Sequence, residues 1–186
     1  MKHYLFPIAA LALGACGSSG SVDLVAAQEI GVLVAEGVDP ETEVETRSGF
    51  GNVSAPNVGT ASYVYGTTGG ELIAAAGFDR SGSLSAPLSS NATFSGTVRL
   101  GDVRESGSSL VGDNITLNAD FAASTLTGSS AVITVDGTFS GNELGGAVMY
   151  DGIEGELDGV ISVDGAVGAF AGSNDERGYA GVFQVQ

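Results

Sequence analysis

"NITLNADF", Asn114 to Phe121, decides the fold class. Ile115, Leu117, Ala119 and Phe121 occupy one side of a strict alternation, and Asn114, Thr116, Asn118 and Asp120 occupy the other. Period two is the repeat of a strand with one buried and one wetted face, whereas an amphipathic helix needs apolar residues three and four apart. The same pattern extends outward along the chain. Phe94, Gly96, Val98 and Leu100 alternate with Thr93, Ser95, Thr97 and Arg99, and Ala61, Tyr63 and Tyr65 alternate with Thr60, Ser62 and Val64. Near the end, Ala180, Val182 and Gln184 alternate with Gly181, Phe183 and Val185, so both faces of that strand are expected to be partly covered.

Asp-Gly recurs at Asp136-Gly137, Asp151-Gly152, Asp158-Gly159 and Asp164-Gly165. The dipeptide suits type I′ hairpin turns, so all four are expected to join strands. Short strands, hairpin turns and almost no helical periodicity give an all-β class. The architecture expected is an eight-stranded antiparallel up-and-down β-barrel, which removes exposed edges. Interior glycine and alanine fit a small, crowded lumen.

Charge narrows the partners. The chain of 186 residues holds 22 acidic and 6 basic side chains, a formal charge of −16. Such a field repels nucleic acid and anionic headgroups, so no nucleic-acid partner is expected.

Met1, Lys2 and His3 form a short positive region, and Tyr4 to Leu13 form an apolar run too short to span a bilayer as a mature helix. Leu13-Gly14-Ala15-Cys16 resembles the lipobox of bacterial lipoprotein precursors. That resemblance implies cleavage before Cys16, acylation of its thiol (palmitate being one such chain) and a membrane partner reached through the lipid. Gly17 to Gly20 would be a flexible tether. An ordinary signal peptide that leaves a free thiol is the alternative. Cleavage removes the single histidine, His3, and acylation uses the single cysteine. Ser-His-Asp and Cys-His catalysis, and His- or Cys-ligated zinc or copper, then have no residues to draw on. No metal site and no cofactor are expected, and haem would need a Tyr or Met ligand.

The expected organisation is a lipoprotein signal peptide over 1–15, acylated Cys16 with tether and N-terminal segment over 16–58, and a barrel domain over 59–186. Within the middle part, Ser21 to Gly37 is either a helix capped by Ser21 or an extended segment packed on the main domain. Asp39 to Glu45 is acidic at every second residue but lacks EF-hand spacing, and reads as a solvated linker or edge strand.

Four stretches carry a family resemblance: "GTASYVYG" (Gly59 to Gly66), "LNADFAASTLTGS" (Leu117 to Ser129), "GTFSGNELGGAV" (Gly137 to Val148) and "GAVGAFAGSNDERGYAGVF" (Gly165 to Phe183). They resemble small bacterial surface lipoproteins with the transferrin-binding protein B-like β-barrel, among them solute-binding-like members. The last stretch is the most specific, with two glycine-flanked aromatic strands around a short acidic loop. The resemblance implies an acylated N-terminus, an outer-membrane or cell-surface location in a Gram-negative bacterium, and binding without catalysis. No long loop here resembles a transferrin-contacting surface, so transferrin binding is not carried over.

Three functions follow as candidates. The first is a surface lipoprotein whose barrel loops bind a protein or small solute. The segments Thr67–Gly70, Asp79–Asn91, Asp102–Gly112 and Ser173–Arg177 would supply recognition. The second is a structural or membrane-embedded barrel, which would need an outward apolar band. The third is a carboxylate glycosidase drawing on Glu143, Glu154 or Glu156, although nothing in their spacing sets two across a cleft. Tyr63, Tyr65, Tyr150 and Tyr179 are expected in the core rather than at a ligand.

Overall fold

The computed structural model describes residues 30–40, 49–68, 71–82, 84–85 and 90–186. The expected leader, Cys16 and the tether lie outside them, as do 41–45 of the acidic run. Among the described residues regular structure is carried by twelve strands. The first four are β1 (Ile30–Leu33), β2 (Gly49–Ala55), β3 (Gly59–Thr68) and β4 (Glu71–Arg80), hydrogen-bonded in the order β1-β4-β3-β2. The other eight are β5 (Ala92–Arg104), β6 (Gly107–Asp120), β7 (Thr125–Ser129), β8 (Ile133–Ser140), β9 (Glu143–Tyr150), β10 (Ile153–Ser162), β11 (Gly165–Asn174) and β12 (Arg177–Val185). These form a closed barrel in which each strand pairs antiparallel with its neighbour in sequence.

Closure comes from β12 pairing with β5, from Arg177↔Arg104 to Val185↔Gly96. Two backbone bonds between Ser95 and Gln186, at 2.9 and 3.1 Å, extend that seam. The lumen is filled. Phe94, Leu100, Ile115, Leu117, Leu126, Leu157, Phe170, Tyr179 and Phe183 point inward and are almost completely buried. Removing that apolar surface from water is the main stabilising term of such a core.

The alternation at Asn114 to Asp120 is present in the structure: Ile115, Leu117 and Ala119 are buried and Asn114, Thr116 and Asn118 are exposed. Strand β8 repeats it without exception over eight residues. Strands β11 and β12 are buried on both faces instead. Their outward residues Val167, Ala169, Ala171, Ala180 and Val182 pack under the four-stranded sheet, together with Ala61, Tyr63, Ala74 and Ala76. Small side chains there let the two layers approach. A Cβ on Gly101 would overlap the Tyr65 ring, and one on Gly178 would overlap Ile30.

Strand β3, whose alternation belongs to the segment read as barrel, hydrogen-bonds between β2 and β4 rather than in the closed ring. The ring is already complete with the strands from Ala92 onward. The apolar face of β3 is buried against the barrel's outer wall, which satisfies its alternation equally well. Of the Ser21–Gly37 segment, Ile30–Leu33 is extended and pairs parallel with β4, with a register irregularity between Ile30 and Val32.

Of the four Asp-Gly pairs, one is a type I′ turn, one straddles the end of a turn and two lie inside strands. Asp151 and Gly152, with φ of 46° and 80°, form the β9–β10 turn with both residues left-handed, as type I′ requires. At the β10–β11 turn the central residues are Val163 and Asp164, and Gly165, with φ of 140°, opens β11 paired with Ser162. Asp136-Gly137 and Asp158-Gly159 instead lie inside β8 and β10. At both, the aspartate faces outward while the glycine faces the lumen, where an added Cβ would press on Leu144 or on the β11 backbone. Alternation of a wetted carboxylate with a crowded interior produces the same dipeptide as a turn.

Candidate functional site

One end of the barrel carries the β5–β6, β9–β10 and β11–β12 turns. Two of the four predicted recognition segments, Asp102–Gly112 and Ser173–Arg177, meet there through the pair Arg177↔Arg104. Neither is a long loop. Both are hairpins, with two-residue turns at Glu105-Ser106 and Asp175-Glu176. Thr67–Gly70 and Asp79–Asn91 are described only in part.

The β5–β6 hairpin is a ribbon whose β5 side is paired with β12 as far as Arg104 and whose β6 side is an open edge. Strand β7 pairs with β6 only from Thr116 to Asp120, so residues 107–115 of β6 have a strand neighbour on one side. Asp113 ties the base of the ribbon down, its Oδ2 accepting the Ala131 N–H at 2.7 Å. Beyond it Leu110 is 60% exposed, a large apolar side chain on the open part of the ribbon.

Beneath this end lies a charged cluster inside the barrel mouth. Asp102 is 2% exposed and Arg177 9%. Arg177 Nε donates to Asp102 Oδ1 at 2.9 Å, and its Nη1 donates to Asp151 Oδ2. Arg104 Nη2 donates to Asp102 Oδ2 at 2.9 Å, and the Tyr150 hydroxyl reaches the same oxygen at 3.3 Å. The guanidinium carbon of Arg177 lies 4.7 Å from the Tyr150 ring centroid, an attractive cation–π placement. The Arg177 bond holds the Asp151 carboxyl below the usual aspartate range. Burial, and then the Asp102 charge, pushes the Tyr150 phenol up. In the sequence both residues of the central pair stand only at the boundaries of candidate loop segments. The missed signal is a charge on the inward side of an alternating strand: Asp102 follows Leu100 by two, and Arg177 precedes Tyr179 by two.

The tyrosines are core residues. Tyr179 is fully buried, donates to the Val148 carbonyl at 2.9 Å and packs edge-on against Tyr150 at 5.2 Å, and burial raises its pKa. Tyr63 and Tyr65 stack at 6.1 Å between sheet and barrel. The three glutamates are on the outside: Glu154 and Glu156 project from the outer face of β10, and Glu143 lies 3.6 Å from Arg80. Outward positions on β5 to β8 are chiefly threonine, serine and asparagine, unlike the apolar band of a membrane-embedded barrel. Among the described residues no cluster of three or more His, Cys, Asp or Glu side chains is arranged to hold a metal, and no helix is long and apolar enough to cross a membrane. A hollow of about 450 Å³ lies on the four-stranded sheet, with Asn52, Ser54, Thr60, Ser62 and Asp79 in its lining.

No family model matches the chain, and no curated protein does. Solved structures do. A crystal structure titled surface lipoprotein aligns with a TM-score of 0.52 at 11% identity, over 80% of this chain and 86% of that one. Transferrin binding protein B from Haemophilus parasuis aligns at 0.51 and 14% identity, over 74% of this chain and 36% of its own. The chain has the transferrin-binding protein B-like barrel fold. It spans about a third of the length of the transferrin binding proteins B it matches. HpuA from Kingella denitrificans, solved in complex with human haemoglobin, aligns at 0.45 and 12% identity over 76% of this chain and 59% of that one.

Proposed function

We propose that this chain is a lipid-anchored surface lipoprotein of a Gram-negative bacterium that binds a protein ligand without catalysis. Its parts are a leader over 1–15, an acylated Cys16, a tether, and the β-domain. The observation that carries the reading is the pairing of a filled lumen with an open strand edge on β6 at the hairpin end. With the interior occupied by side chains, recognition falls to the outer surface. The hairpin end offers an exposed apolar residue, Leu110, on a scaffold pinned by the Asp102–Arg177 pair. Exposed apolar groups on rigid elements are what protein partners bury. The match to a surface lipoprotein and to transferrin binding protein B is consistent with this role.

Each part has its own test. Radioactive palmitate should label the mature product in cells expressing the full chain, and Cys16→Ser should abolish the label. An unlabelled chain that keeps its leader contradicts anchoring. Intact cells displaying the chain should retain at least one protein from a panel of purified host plasma and erythrocyte proteins, and Leu110→Asp should reduce retention at least tenfold. Retention of none, or no effect of the substitution, contradicts recognition at the hairpin end.

A further inference from the structure

The outward side chains of β5 to β8 form a register-aligned grid. One row is Thr93, Asn118, Thr127 and Asp136, and the next is Ser95, Thr116, Ser129 and Thr134. All eight are exposed. Neighbouring strands are about 4.8 Å apart and same-face residues about 7 Å apart along a strand, so the hydroxyls and amides recur on the scale of a sugar ring. Some already bond within the grid: Thr93 Oγ1 donates to Asn118 Oδ1 at 2.9 Å, and the Ser95 and Thr116 hydroxyls lie 3.4 Å apart. The Asn118 Nδ2 group remains a donor alongside them.

The first row runs into a hollow of about 370 Å³ at the barrel rim, ten residues along β5 from Asp102 and at the opposite end from the hairpin surface. Asn91, Thr93, Asn118, Asp120, Thr125 and Thr127 supply its polar groups. The Asp120 carboxylate is fixed there, its Oδ1 accepting the Ala122 and Ala123 N–H groups at 3.0 and 2.9 Å. A volume of several hundred ångströms cubed is the ordinary size of a small-ligand site.

Charge is partitioned between faces. On β10 the outward residues Glu154, Glu156 and Asp158 are three successive carboxylates, whereas the eight grid positions and the rim hollow together include two, Asp136 in the first row and Asp120 in the hollow. On a molecule of formal charge −16 this leaves a window of lower charge density rich in donors and acceptors. The surrounding field repels polyanions, and the window itself has no cation to hold them. We propose that this face and its rim hollow bind a neutral oligosaccharide, a ligand that exchanges hydroxyl hydrogen bonds with the grid and carries no charge against the field. The proposal rests on the non-catalytic binding reading but uses a different surface.

Calorimetric titration of the detergent-solubilised full chain with cellohexaose, maltohexaose and chitohexaose tests it, with polygalacturonate as the anionic control. At least one neutral hexasaccharide should bind, with an affinity that does not change with salt, and polygalacturonate should not. Thr127→Val, nearly isosteric and favourable in a strand, and Asn118→Leu should each weaken binding at least tenfold while circular dichroism remains unchanged. Glu154→Gln on the acidic face and Leu110→Asp on the ribbon should leave it intact, so failure of protein recognition at the hairpin end is read separately. No binding of any of the three at millimolar concentration, or binding indifferent to Thr127→Val, overturns the proposal.

Discussion

Asp102 shows how a single side chain can hold the mouth of a barrel. It is almost completely buried and accepts from Arg177, Arg104 and Tyr150 together. Its replacement leaves the buried Arg177 guanidinium with an exposed partner alone. Asp102→Ala is therefore expected to lose about 3–5 kcal/mol of unfolding free energy in urea titrations, and Asp102→Asn, which keeps the hydrogen-bonding shape, less. A loss below about 1 kcal/mol for the alanine variant contradicts the latch. Asp158 acts in the opposite direction. Burial first, and the neighbouring Glu156 charge second, raise its pKa above the ordinary 3.8. A carboxyl easier to protonate when folded costs stability once pH rises through that raised value. Asp158→Asn should accordingly raise Tm at pH 7, and the gain should vanish as pH falls below 3.8. A gain that persists at acid pH would point to packing rather than charge.

At the scale of elements, aromatic–glycine pairing organises the closing strands. Across β11 and β12, Phe170 faces Gly181, Phe183 faces Gly168, and Tyr179 faces Gly172. Each ring lies over a residue with no side chain, and a Cβ on Gly172 would come within 2.8 Å of the Tyr179 ring. Gly172→Ala should cost about 1–3 kcal/mol through overpacking. Gly112→Ala on the exposed ribbon, where the nearest atom would be 3.5 Å away, should be neutral or gain about 0.5–1 kcal/mol. Equal effects at the two sites, measured by thermal unfolding, would remove the packing explanation. Local pattern specifies strand and face, but not pairing between distant strands. The alternation around Ile115 and Phe94 specifies strand and face directly, because pleat and solvent act on adjacent residues. Asp136-Gly137 and Asp158-Gly159 mislead because turn chemistry and lumen crowding select the same dipeptide. The Asp102–Arg177 pair is separated by 75 residues and follows only from barrel closure.

For the whole molecule, two layers share one wall. Strands β10 to β12 and β5 present their outer side to the four-stranded sheet, so β11 and β12 carry two cores, one in the lumen and one beneath Tyr63 and Ala74. That doubly buried wall explains the glycine and alanine content of "GAVGAFAG" more fully than lumen crowding alone. It also leaves β6 to β9 and the first half of β5, with Thr93 and Ser95, as the wetted side, where the threonine-, serine- and asparagine-rich grid lies. Ligand contact on either outer surface needs no opening of the interior. The fold is legible in the sequence, whereas the proposed recognition surfaces rest on a few exposed side chains such as Leu110 and Asn118, which no strand pattern constrains.

The position of every surface depends on the ring closing between its first and last strands around a filled interior. Cross-strand Hα and amide nuclear Overhauser effects along the β12–β5 seam test this directly. The expected result is a continuous series linking Gly178 with Val103, Ala180 with Gly101, Val182 with Arg99 and Gln184 with Thr97. Absence of that series, or contacts joining β12 to a strand of the four-stranded sheet in its place, would contradict the closed barrel and the placement of every surface derived from it.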